Sequence, residues 1–221
     1  MNPRHLPNLL TFSRLFLAVV AFWFLHVLAH AEGDASAVAD NAFWAFWFYL
    51  VAVATDFLDG RIARRYGWVS AVGRVADPVV DKVLTLGGLV FLAAAGFVVE
   101  AGPFAARSAD YGELVPAWAV VLILAREFLV TALRGLVESR GKAFPAEMSG
   151  KWKMTFQSIY VLIILGALGG IPEAIFLPFL SFLWHPYLLA GLFWVVILMT
   201  VYSGVTYVVR AARLLRGGTE S

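Results

Sequence analysis

Six long apolar runs, at about residues 15–29, 42–62, 79–99, 115–137, 156–177 and 187–209, leave this chain few ways to fold. Most reach the roughly 20 residues with which a helix crosses a hydrocarbon core of about 30 Å. They lack the period-two alternation of a membrane β-barrel strand. They are apolar around the whole helical circumference, so lipid rather than water is the expected solvent. Composition agrees. Of 221 residues, 61% are hydrophobic and 14% charged, against about 45–50% and about 25% in soluble domains. The expected fold is all-α: a polytopic membrane protein with six transmembrane helices and a short N-terminal interfacial segment. Helices and short connections account for residues 1–221, which are expected to form a single membrane domain.

Orientation is read from Lys and Arg, which concentrate on the cytoplasmic side of membrane proteins. With a cytoplasmic N-terminus, all but one of the 17 basic residues fall on that side, the exception being Arg107. The opposite loops carry Glu32, Asp34, Asp40, Glu100, Asp110, Glu113 and Glu173. The formal net charge of +2 therefore reflects topology and an anionic substrate or lipid surface rather than nucleic acid. The chain has no cysteine, which excludes disulfides and thiol chemistry. Arg4, His5, an apolar stretch and the sequence AHA at residues 29–31 imitate a cleavable signal peptide. Cleavage would remove the first span and spoil the charge asymmetry, so the segment is expected to stay.

Four acids break the apolar pattern. Asp56 and Asp59 close the second run, in TDFLDGRIAR, and Asp77 and Asp81 open the third, in DPVVDK. Spacings of three and four put each pair on one helical face. A short connection makes the two helices antiparallel neighbours, so all four carboxylates converge at one depth. An ionised acid costs about 2.5–3.5 kcal/mol at the membrane centre and less near its edge. Four together must take up protons or bind cations. A set of oxygen ligands alone suits Mg²⁺ or Mn²⁺. Two such ions balance four carboxylates and match the arrangement that clamps oxygens in phosphoryl transfer. Gly60, Ala63 and Gly73 leave the backbone open to a base or pyrophosphate beside the acids. Arg64 offers a planar fork to phosphate. The plainer alternatives are an Asp59–Arg64 interfacial ion pair and Asp77 as the N-cap before Pro78. A cation transporter is a further alternative, although no polar trail crosses the other spans.

These residues resemble the signature D-x2-D-G-x2-A-R-x8-G-x3-D-x3-D of the CDP-alcohol phosphatidyltransferases, with every fixed position matched from Asp56 to Asp81. The resemblance implies a six-helix membrane enzyme, commonly a homodimer, that uses CDP-diacylglycerol and releases CMP. It implies two divalent ions on Asp56, Asp59, Asp77 and Asp81, with Asp81 as the catalytic base. It also implies a cytidine diphosphate site lined by Asp56, Asp59, Gly60, Ala63, Arg64, Gly73 and Asp77. The active site and both termini then face the cytoplasm from the plasma (inner) membrane.

Other stretches are similar to the bacterial branch that makes phosphatidylglycerol phosphate from glycerol 3-phosphate. They are PNLLTFSR at residues 7–14, AREFLVTALR at 125–134 and GKWKMTFQ at 150–157. Met154 stands where that branch usually has Thr, and Thr155 follows it. Arg126, Arg134, Lys151 and Lys153 fall on the acid-bearing side, as a pocket for an acceptor phosphate requires. Positive-inside decoration and snorkelling are the alternatives for these bases, and Glu127 is expected to pair with an arginine. Asn8, Thr11 and Arg14 are possible substrate contacts, with capping or interface anchoring as the alternative. The same fold with inositol phosphate, phosphatidylglycerol or serine as acceptor also remains open.

Overall fold

The computed structural model describes residues 6–31, 34–66, 71–95, 115–144, 148–171 and 186–216. Side chains are described throughout these except at 6–10, 35, 57–66, 71–78, 148, 149, 151 and 186. All regular structure among the described residues is helical: α1 Leu6–Ala29, α2 Ala35–Tyr66, α3 Ala71–Ala94, α4 Ala117–Ser139, α5 Met148–Leu168 and α6 Pro186–Arg216. Each expected apolar run overlaps one of them. Three stretches, Thr11–Ala29, Ser36–Asp56 and Tyr187–Arg216, are long and apolar enough to cross a membrane, and Trp152–Leu168 is a shorter apolar one. In α4 the charges of Arg126, Glu127 and Arg134 interrupt the apolar sequence. Parts of the third and fifth expected spans lie outside the described residues.

Local chemistry sets several helix ends. Asp34 caps α2: its carboxylate accepts from the backbone N–H of Ser36 at 3.0 Å and of Ala37 at 3.2 Å. The Ser36 hydroxyl adds a third bond, and together these hold the exposed carboxyl below its ordinary value. Pro116, in an extended conformation, precedes α4. Gly141, at φ 72°, lets that helix end in a left-handed turn, with the Lys142 N–H returning to the Val137 carbonyl.

Burial follows helical stripes. On α1 the stripe is Thr11, Arg14, Ala18, Ala21, Leu25 and Leu28, and on α2 it is Ala42, Ala45, Tyr49 and Ala52. On α5 it is Lys153, Gln157, Val161, Ile164 and Leu168. Inward-facing polar side chains therefore gather at one end of the bundle, and apolar ones fill the rest. The outward faces are apolar too, with Phe12, Phe16, Trp23, Leu198 and Val205 exposed. An apolar exterior around a partly polar interior belongs in a bilayer.

α1 packs on α2 and α3, α5 on α2 and α6, and α4 on α3 and α6. Small residues permit these approaches, as expected where lipid supplies no hydrophobic drive between helices. A Cβ at Gly169, at the end of α5, would lie 2.7 Å from the Phe43 backbone nitrogen of α2. A Cβ at Gly88 of α3 would lie 3.0 Å from the Tyr49 ring and 3.2 Å from Val161, so α2, α3 and α5 meet at that level. Gly169→Ala should therefore cost about 1–3 kcal/mol of stability, because backbone rather than a movable side chain blocks it. Gly135→Ala, on α4 with nothing within 4 Å, should be neutral or stabilising by up to about 1 kcal/mol. Melting of the two purified variants in detergent checks the contrast.

Candidate active site

Asp56 is on α2 and Asp81 on α3, and both reach the same nitrogen. Arg14 Nη1, from α1, lies 2.7 Å from Asp56 Oδ1 and 2.7 Å from Asp81 Oδ1. The two carboxylate oxygens therefore lie no further apart than twice that distance. The arginine side chain is only 2% exposed, whereas Asp56 is 40% and Asp81 24% exposed. The acids stay reachable from outside while their counter-charge is sealed behind them. The Asp81 backbone carbonyl accepts from Thr85 Oγ1 at 3.0 Å. Thr11, also buried, lies one turn before Arg14 on the same stripe.

A second polar cluster forms on α4, α5 and α6. Glu127 Oε1 accepts from Arg126 Nη1 at 2.7 Å and from Lys153 Nζ. Arg126 also donates to Ser203 Oγ, and its guanidinium lies 5.4 Å from the centre of the Tyr207 ring. Gly150 and Gly204 flank it, and a Cβ at either would make only ordinary contact with Arg126. Lys82, the residue after Asp81, joins the clusters by donating to Thr131 Oγ1 at 2.6 Å. Thr131 in turn donates to the Glu127 carbonyl at 2.8 Å. Arg126 and Lys82 both lie close enough to act electrostatically on Lys153. Among the described residues these three cations outnumber their one carboxylate, so the cluster keeps a positive surplus there.

The structure thus brings Asp56 together with Asp81, and Arg126 with Lys153. The expected pairing of Glu127 with an arginine is present, with Lys153 as a second partner. Arg134 Nε and Arg126 Nε are buried without a hydrogen-bonding partner among the described residues. Asp59, Gly60, Ala63 and Arg64 lie within α2, and Gly73 and Asp77 within α3. Asp77 is thus inside a helix rather than at its start, so it is not an N-cap. The side chains of these six positions, and of Asn8 and Lys151, lie outside the described residues. Sequence reasoning gave Arg14 too small a part. The sequence marks it as a substrate contact or an anchor, yet it is the partner of two of the four acids. Its signal was a buried-stripe position shared with Ala18 and Ala21.

Among the described residues no three Asp, Glu or His side chains converge. Asp56 and Asp81 supply hard oxygen donors from two helices to one positive centre, a donor set that fits a divalent cation such as Mg²⁺ or Mn²⁺.

A sequence profile described as CDP-alcohol phosphatidyltransferase matches residues 4–205. The chain belongs to that family. It is accordingly a phosphatidyltransferase and a membrane protein. It is 30% identical, over 92% of its length and 93% of the relative's, to the CDP-diacylglycerol–glycerol-3-phosphate 3-phosphatidyltransferase of Bacillus subtilis. It is 33% identical to the probable phosphatidylglycerophosphate synthase of Mycobacterium tuberculosis, over 96% of this chain and 84% of the other. A cardiolipin synthase (CMP-forming) of Streptomyces coelicolor is 28% identical over the same shares.

Within this phosphatidyltransferase, Arg14→Met should leave Asp56 and Asp81 facing each other uncompensated. In divalent-free buffer the expected loss is about 1–3 kcal/mol, below that of a fully buried pair because both acids are partly exposed. Arg14→Lys should recover part of it, and thermal melting of both variants measures the difference.

Proposed function

We propose that this phosphatidyltransferase moves the phosphatidyl group of CDP-diacylglycerol to glycerol 3-phosphate, giving phosphatidylglycerol phosphate and CMP. One observation carries this reading: the acids Asp56 and Asp81 adjoin a surplus of positive charge from Arg126, Lys153 and Lys82. An acceptor that carries its own phosphate needs such a surplus, whereas serine does not. The names of the Bacillus and Mycobacterium relatives point the same way.

In this reading Asp56, Asp59, Asp77 and Asp81 hold two divalent ions, Mg²⁺ or Mn²⁺. When bound, these supply Lewis-acid charge to the phosphoryl oxygens. Gly60, Ala63, Arg64 and Gly73 line the cytidine diphosphate. Arg126 and Lys153, with Arg134 and Lys151, take the acceptor phosphate and fix the acceptor's free end. Asp81 accepts the proton of the terminal hydroxyl, whose oxygen attacks the lipid-side phosphorus as the bond to CMP breaks. The lipid substrate enters sideways, its chains in the bilayer and its headgroup at the acid-bearing end of the helices.

CMP release by the purified enzyme tests this. Asp81→Asn should lower kcat by about 10²–10⁴-fold, and a chelator should abolish turnover until Mg²⁺ or Mn²⁺ is restored. Activity that survives both would defeat the assignment. Offered in parallel, glycerol 3-phosphate should outperform phosphatidylglycerol, inositol phosphate and serine. Preference for phosphatidylglycerol would instead make the enzyme a cardiolipin synthase, in line with its Streptomyces relative.

We further infer six spans in the inner membrane, with the acid-bearing end cytoplasmic. The chain has no cysteine, so single introduced thiols report topology cleanly. Ser139→Cys should react with an impermeant maleimide only from the cytoplasmic side, and Asp34→Cys only from the opposite side. Labelling of both from one side would overturn the orientation.

A further inference from the structure

Gln157 is fully buried, at 0% exposure, and neither atom of its amide has a hydrogen-bonding partner among the described residues. Buried amides are nearly always paired, and leaving both ends unpaired is costly. The position of this one is informative. It lies midway between Lys153 and Val161 on the buried stripe of α5. Gly88 of α3, Tyr49 of α2 and Val161 meet at one level. Two turns from that level toward the polar end, the same helices present Asp81, Asp56 and Lys153. One turn along, between these levels, stand the buried Thr85 of α3 and Gln157. Gln157 therefore lies one turn inward of the charged cluster, about 6 Å along the helix from Lys153. A three-carbon polyol spans that distance from a phosphate held at Lys153.

We propose that Gln157 is a specificity-determining residue that reads the middle hydroxyl of the polyol phosphate acceptor. The inference rests on the acceptor reading given above and adds to it a residue with a defined task. Its carbonyl oxygen accepts from that hydroxyl and its NH₂ donates to the hydroxyl oxygen, so one substrate group satisfies both ends of the amide. The terminal hydroxyl is left free to react. Leucine at this position would leave the phosphate contacts in place but could not register the hydroxyl.

The test compares glycerol 3-phosphate with 3-hydroxypropyl phosphate, which lacks only the middle hydroxyl, by CMP release from the metal-loaded enzyme. The unaltered enzyme should prefer glycerol 3-phosphate by at least about tenfold in kcat/KM, the worth of a buried hydrogen-bond pair. In Gln157→Leu the preference should shrink to less than about threefold, chiefly through a raised KM for glycerol 3-phosphate. The KM for CDP-diacylglycerol should stay unchanged. Gln157→Met serves the same comparison if the leucine variant does not fold. An unaltered enzyme that ignores glycerol 3-phosphate would overturn the acceptor reading, and this inference with it. An unaltered enzyme that uses both phosphates equally, or a variant that keeps the full preference, would overturn the role of Gln157 alone.

Discussion

A buried guanidinium shared by two carboxylates organises this molecule. Arg14 comes from α1, Asp56 from α2 and Asp81 from α3, and each alone would be costly to remove from water. Meeting at one nitrogen, they set the relative depth of three helices that pack chiefly through small and apolar side chains. A stripe of Ala18, Ala21, Ala42, Ala45 and Ala52 packs closely but specifies register only weakly. The ion pairs remove that freedom, because sliding any one helix by a turn would strand a charge. Exposure is divided unevenly: the arginine is enclosed and the carboxylates open outward. The acids are thus placed and compensated from behind while their outer faces stay open to other cations.

The opposite charge is gathered on the other helices. Glu127 holds Arg126 and Lys153 in one place, and Lys82 carries the connection back to α3 through Thr131. A carboxylate between two cations keeps them from driving each other apart. It neutralises only part of their charge, and the remainder together with Lys82 suits a dianionic phosphate. Acidic and basic halves side by side suit the proposed reaction, in which a nucleotide pyrophosphate would sit against cations held by the acids while a second anion approaches from water. The proximity that makes the chemistry feasible also makes the bundle self-consistent, since each half offsets the other's field.

How much of this could be read in the sequence followed from how local each signal is. The helices were legible because a span writes its own apolar run, and Asp56 and Asp81, which the structure brings to one arginine, because they interrupt the ends of two such runs. Helix ends were less legible. α2 runs to Tyr66 and α3 begins at Ala71, beyond the apolar windows, because the polar turns that carry the signature have no hydropathy of their own. Arg14 was harder still, since its partner Asp81 lies 67 positions away and no local pattern links them. A charge-balance argument would have found it: an arginine on a buried apolar stripe must have an acidic partner at the same depth. Glu127 yields to the same logic, and its bond to Arg126 is the pairing expected from the sequence.

Polar capacity left over in the bundle bears on how the two substrates divide it. On α4 the nitrogens Nε of Arg126 and Arg134, and on α5 the amide of Gln157, are buried without partners among the described residues, as is the Tyr49 hydroxyl on α2. A lipid substrate brings its own apolar chains and can be held largely by the bilayer and the headgroup site on α2 and α3. A small water-soluble acceptor has no such anchor, so its binding energy must come from hydrogen bonds and charge on the remaining helices. Those bonds cannot all be satisfied before the acceptor arrives. Completing the interior would stabilise the fold and close the site to its substrate. The unpaired atoms of α4 and α5 are therefore consistent with an interior kept polar for an acceptor that completes it.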